Sequence, residues 1–338
     1  MHVVITGGAG FLGLRLAQSL LAAGTITVDG GPPRPVERLT LLDRVDPPAA
    51  YRSDPRVRVI RGDLRELLQP PAATGPLAGA GVVFHLAAAV SAECEADFDL
   101  GVDANLRTGY ALLEACRALP EPPHLVFASS LAVYGQWPDQ PLPEVVTDTT
   151  LPTPRSSYGT QKFILEQLIA DYTRKGFVVG RSVRLMTVCV RPGRPNAAAS
   201  SFLSSIIREP MAGERAVCPV PPETAVALSS PERTVEGLLR AAAATSAEWG
   251  APTAMNLPGI RTTVGEMVAA LAEVAGPQAT ALIDWRPDPA VAEIVLSWPS
   301  RFDTARAGRL GLRPDLDITA IVRSHAEATS ARLRGKHD

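Results

Sequence analysis

Tyr158 and Lys162 stand four residues apart in "SSYGTQK" (156–162), so on a helix their phenol and ammonium project from one face. They would lie about 6 Å apart along the axis. Such a pair suits removal of a hydroxyl proton while a hydride leaves the carbon that bears the hydroxyl. The phenol accepts that proton at neutral pH only if its pKa falls from about 10 toward about 7, a shift of about 4 kcal/mol. A neighbouring ammonium favours the phenolate and lowers that pKa. By itself the pair is a weak signal, because Tyr-x-x-x-Lys also serves many helices as an amphipathic ring beside a solvated charge. Its meaning depends on the elements that bring other groups to it.

The first of those elements opens the chain. "HVVIT" (2–6) is an apolar run ended by glycines, and "FLGLRLAQSLLAAG" then reads as a helix closing at Gly24. Gly8, Gly10 and Gly13 satisfy G-x-G-x-x-G, and Gly7, Gly10 and Gly13 satisfy G-x-x-G-x-x-G. Between strand and helix, glycines permit the tight turn, the approach of a pyrophosphate and close packing of helix on strand. Free N–H groups and the helix dipole then face the diphosphate, with Phe11 and Leu12 in the first turn beside it. "LTLLD" delivers Asp43 at the end of the next strand, where a carboxylate binds the adenosine ribose and repels a 2′-phosphate. That favours NAD over NADP. Arg44 follows directly and could instead receive such a phosphate. The Gly- and Pro-rich excursion at 25–37, read as a small hairpin, accounts for the long interval before Asp43.

Further strand-like runs are "VRVIRGD", "GVVFHLAAA", "HLVFASS" and "VVGRSVRLMTVCV". Helical patterns separate most of them, notably over 97–119 and from "SSYGTQK" to about Gly176. Alternation of this kind predicts an α/β protein with a doubly wound parallel Rossmann sheet covered on both faces. After Arg191 the regularity loosens, which predicts a smaller C-terminal substrate-binding lobe of long loops and a few helices. The expected division is 1–190 for the NAD-binding domain, joined again by about 223–258, with 191–338 mainly the lobe. Asp63 and Leu64 in "RGDL" are placed for the adenine. Leu86, Ala87 and Ala88 in "HLAAA" would border the cofactor, their small neighbours letting backbone run close to it. Each could equally be ordinary strand-end chemistry.

Composition excludes several classes. Of 338 residues 46% are hydrophobic and 20% charged, as in a globular chain with a sizeable core. Net charge is −2 and no basic stripe is visible, which argues against nucleic acid and anionic membrane as partners. Neither a secretory signal nor an apolar run long enough to span a bilayer is present in the sequence. Cys94, Cys116, Cys189 and Cys218 are scattered without a C-x-x-C pair, against a metal site or a disulfide framework. Cytoplasm is the simplest compartment.

Taken in order, the glycine turn, Asp43, "RGDL", "HLAAA", "ANLRTG", "SSLAVYG" and "SSYGTQK" resemble the extended short-chain dehydrogenase/reductase family over about residues 1–190. The resemblance implies that Ser130 is the catalytic serine, Tyr158 the general acid/base and Lys162 its partner lysine. It also implies that Asn105 orders a water relay behind Lys162 and borders the cofactor, and that Met186 lies near the nicotinamide. Homodimers paired through the helices at 97–119 and 158–175 are expected of such members. Dehydratases of the family carry Asp-Glu after the catalytic residue, whereas Leu131 and Ala132 follow Ser130 here and transfer no proton. Sugar-nucleotide 4-epimerases need only the same three residues and stay open.

The second half, "VRLMTVCVRPGRPNAAASSF", "IIREP", "AVCPVPP", "MNLPG" and "WPSRFDTARA", is similar to a branch of this superfamily. That likeness implies NAD-dependent oxidation of a four-carbon sugar acid at C2. Met186 departs from it, since proline is expected there. An acid needs a cationic clamp. Candidates are Arg191, Arg194 and Arg233, with Ser91, Thr187 and Asn196 for hydroxyls, although loop arginines are usually solvated. "RFDTARA" is expected to pack helices rather than touch a ligand.

Overall fold

The apolar runs become seven strands of one parallel sheet in the computed structural model, which describes residues 1–69, 71, 74–193 and 198–334, the last four as backbone. Across the sheet the order is Met255–Asn256, Val179–Leu185, His124–Ser130, Val82–His85, His2–Thr6, Arg38–Asp43 and Val57–Arg61. Strand faces are buried on both sides, as a parallel sheet under helices requires: Val3, Val4 and Ile5 are all without exposure. The chain winds outward from His2–Thr6 to Val57–Arg61, then returns to add Val82–His85 on the other flank. That reversal leaves a crevice at the C-terminal ends of those two central strands, where open α/β sheets bind ligands.

The hairpin expected in the insertion is present, Thr25–Ile26 pairing antiparallel with Arg34–Pro35. Helix Pro231–Ala243 packs on the first helix, Phe11–Ala23, and on the sheet, while Met255–Asn256 adds the sheet's last strand. Beyond Leu185 lie a three-stranded sheet (Thr187–Val188, Ala225–Ser229, Ile260–Thr263) and the helices Ser201–Met211, Val264–Ala275 and Ile318–Arg334. Phe202, Ile206, Met267, Leu271 and Val322 form a second core there. Helix Ala305–Arg309 of "RFDTARA" packs on the chain: Arg306 donates to the carbonyls of Trp249, Ala251 and Thr253. Among the described residues no His/Cys/Asp/Glu group has metal-site geometry, and no helix is long and apolar enough to cross a membrane.

One expectation changes form. The helical pattern over 97–119 is broken into Phe98–Gly101, a π-helical turn Val102–Arg107 and Thr108–Arg117, after a separate helix Ser91–Ala96. Asp97 starts a new helix by accepting from the Leu100 N–H at 2.9 Å. In the π turn the Asn105 amide bonds sideways, to Ala89 and Gln161.

A buried histidine ties two central strands together. His85 Nδ1 lies 2.7 Å from Thr6 Oγ1, and the ring stacks on Phe127. Burial, aided by the Lys162 charge, pushes its imidazole down to about 3 from an ordinary 6.5. Between those values the unfolded chain binds a proton that the native one refuses, so stability falls as pH falls below 6.5. Thermal melts should therefore weaken from pH 7 to pH 5, and His85→Asn should flatten the decline.

Candidate active site

The glycine turn is built for close backbone approach. A Cβ on Gly13 would lie 2.2 Å from the Gly7 carbonyl oxygen, so no other residue lets the helix start there. No side chain caps that helix and its first turn holds no acid, leaving its N–H groups to an anion. Asp43 is fixed beside the turn, its carboxylate accepting from the Ala9 N–H at 2.9 Å. Arg44, 68% exposed and on the same cavity wall as Asp43, donates to the Asp63 carboxylate at 2.5 Å. Asp63 also accepts from the Arg65 N–H at 3.0 Å, which fixes it at a helix start. These groups fit the two phosphates and the ribose of a dinucleotide. Asp43→Ala should narrow the preference for NADH over NADPH, read by fluorescence titration of both; an unchanged ratio would remove Asp43 from the ribose.

A cavity of about 560 Å³ runs from this turn across the sheet's C-terminal edge. Its wall holds Gly7, Gly10, Phe11, Leu12, Gly13, Asp43, Asp63 and Leu64 at one end. Leu86, Ala87, Ala88 and Ser91 follow, then Ser130, Tyr158, Lys162, Met186, Thr187 and Arg191. Two expected residues are elsewhere. Asn105 lies behind the wall, fully used: Oδ1 accepts from the Ala89 N–H at 2.8 Å and Nδ2 donates to Gln161 Oε1 at 2.7 Å. It supports the Ala87–Ala89 segment rather than bordering the cavity. Arg233 sits in the first turn of helix Pro231–Ala243, 41% exposed and paired with Glu236, so it does not reach the cavity. Arg194 and Asn196 lie outside the described residues.

The reactive groups come from two elements. Ser130 ends strand His124–Ser130, its Oγ accepting from the Ala132 N–H at 3.1 Å. Tyr158 and Lys162 stand at the start of helix Ser157–Arg174, where the Ser156 hydroxyl accepts from the Gly159 N–H. Gly159 is required: a Cβ would sit 2.0 Å from the Ala132 carbonyl, forcing the helix off the serine's loop. Lys162 is buried and donates to the Ala128 carbonyl at 2.8 Å, with Nζ 5.6 Å from the centre of the Tyr158 ring.

Burial sets both ionisations in the protein alone. It pulls the Lys162 ammonium down to about 8, against the pull of Cys94 and Glu166. It pushes the Tyr158 hydroxyl up to about 12. A hydrogen bond with Ser130 and the Arg191 charge draw it back. The expected lowering by Lys162 is not seen: desolvation is the largest influence on the hydroxyl, and the opposing groups are Ser130 and Arg191. A positive charge added to the cavity would favour phenolate.

Sequence reasoning missed three groups. Ser129, on the cavity wall, donates to Glu166, which lies behind it. Glu166 was detectable, standing four residues past Lys162 on the same helical face. Trp298 joins the cavity wall from a distant loop, and no local spacing announces it.

Comparison with known proteins gives the family. Residues 3–225 match the model of the NAD dependent epimerase/dehydratase family. The chain is 47% identical to the D-erythronate dehydrogenase of Cupriavidus necator, over 97% of this chain and 98% of that one. It is 43% identical to the D-erythronate dehydrogenase of Haemophilus influenzae, over 97% and 99%. Among solved structures, the nucleoside-diphosphate-sugar epimerase from Agrobacterium tumefaciens superposes with a TM-score of 0.84 at 38% identity, covering 97% of this chain and 94% of that one.

Proposed function

Because the chain belongs to the NAD dependent epimerase/dehydratase family, we propose that it oxidises the C2 hydroxyl of D-erythronate, a four-carbon sugar acid, to the 2-dehydro acid. The protein is an NAD-dependent oxidoreductase. The near-full-length likeness to two D-erythronate dehydrogenases supports the substrate. The observation that carries the chemistry is Arg191, a guanidinium on the same cavity wall as Ser130, Tyr158 and Lys162, close enough to Tyr158 to act on its ionisation. In this reading Arg191 holds the carboxylate, with Ser91 and Thr187 facing hydroxyls.

The residues then divide the work. The glycine turn holds the pyrophosphate, Asp43 the adenosine ribose, Asp63 the adenine, and Lys162 the ribose next to the nicotinamide. Bound NAD supplies the hydride acceptor and a positive ring. Ser130 donates a hydrogen bond to the C2 oxygen, and Tyr158 takes its proton as the C2–H bond breaks. Lys162, near its titration point at about 8, keeps a charge beside the phenolate that forms.

Two structural readings go with this one. Residues 1–190 with about 223–258 act as the NAD-binding unit and 191–338 mainly as the substrate lobe, which the sheet-joining strand Met255–Asn256 and the packing of helix Pro231–Ala243 support. The chain pairs as a homodimer through its exposed apolar helix faces, where Phe98, Tyr110 and Ile164 stand 64%, 49% and 38% exposed.

A sugar-nucleotide 4-epimerase is the second reading, favoured by the likeness to the Agrobacterium structure. An NADH-absorbance screen decides between them. D-erythronate should give net NADH, whereas erythritol, longer sugar acids and sugar nucleotides should give little. Conversion of a sugar nucleotide without NADH release, with no response to any four-carbon acid, would establish the epimerase instead.

A further inference from the structure

Glu166 is a carboxylate with no access to solvent or to the cavity, and it binds two strands at once. Its side chain is 1% exposed, that of its partner Arg184 3%. Arg184 Nη2 donates to Oε2 at 2.7 Å and Nε donates to Oε1 at 3.0 Å, while Ser129 Oγ donates to Oε1 at 2.5 Å. Ser129 is the residue before Ser130, and the Ser130 backbone pairs in register with Leu185, the residue after Arg184. Glu166 itself follows Lys162 by one helical turn and Tyr158 by two. Arg184 extends the chain of contacts by donating to the Tyr134 hydroxyl, which donates to Asn256 Oδ1 at 3.1 Å.

A buried ion pair of this kind adds little stability over apolar residues of the same volume. What apolar residues lack is direction. Fork hydrogen bonds fix the rotation of the helix and the register of the strand together. We propose that Glu166 is a positioning residue: through Ser129 and Arg184 it sets Ser130 against Tyr158 and Lys162 without touching substrate or cofactor. This rests on the assignment of those three residues as the reacting set.

The test compares wild type with Glu166→Gln and with the paired replacement Glu166→Leu/Arg184→Met. Melting temperature, NADH affinity by fluorescence titration, and kcat and KM for D-erythronate are measured on each. The paired replacement should melt near wild type and bind NADH within about threefold, because no charge is left unpaired. Its kcat should nevertheless fall by about tenfold to a hundredfold with KM little changed, as a small misplacement of reacting groups does. Glu166→Gln, which preserves shape and the serine contact, should fall between. Full kcat in the paired replacement makes the pair structural only and overturns the proposal. Should that protein not fold, Glu166→Gln decides: kcat lost only in proportion to NADH-binding sites overturns it. Failure of the substrate reading is separate, since it appears as an inactive wild type.

Discussion

Tyr158→Phe should lower kcat by about 10²–10⁴-fold, the usual loss when a general base is removed, and leave NADH affinity almost unchanged. The substitution deletes one oxygen from a residue whose ring stays packed beside Lys162, with Nζ 5.6 Å from its centre. Little else in the site depends on that oxygen, so the fold and the cofactor cradle remain. The loss should persist at high pH. In the parent enzyme the hydroxyl, held near 12 by burial in the protein alone, becomes a useful base only with positive charge beside it. Without the oxygen no pH restores a proton acceptor. Retention of more than about a tenth of kcat would assign the base elsewhere.

Arg191→Ala should raise KM for D-erythronate by at least about thirtyfold, the lower end of the 2–5 kcal/mol lost when a buried charge partner is truncated. The slow rate with erythritol should hardly move, because that alcohol has no carboxylate to lose. NADH affinity is the control that gives the result its meaning. The guanidinium lies 5.8 Å from the centre of the Phe11 ring, in the first turn of the helix that faces the pyrophosphate. If NADH affinity falls in step with KM, Arg191 serves the cofactor, and the acid clamp must be sought elsewhere.

Legibility in the sequence followed how local the physics was. The glycine turn, Asp43 and the Tyr158–Lys162 pair are short-range patterns whose chemistry depends on spacing along one element, and each borders the cavity. The parallel sheet was legible for the same reason, since each strand is an apolar run closed by a turn. The arginines were not separable by type. Only the packing of the lobe against the sheet brings Arg191 to the cavity while Glu236 occupies Arg233. Asn105 shows the opposite difficulty, a motif residue whose amide is consumed by its neighbours. The depth that pushes Tyr158 up and Lys162 down is likewise a property of the assembled fold, invisible in "SSYGTQK".

The most direct test of C2 oxidation by this site is to supply D-erythronate carrying deuterium at C2, with NAD, and locate the label. The account predicts deuterium at C4 of the nicotinamide in the NADH formed, with slower turnover than for the unlabelled acid. NADH free of label, with deuterium retained in the oxidised acid, would place the reacting carbon elsewhere and contradict it.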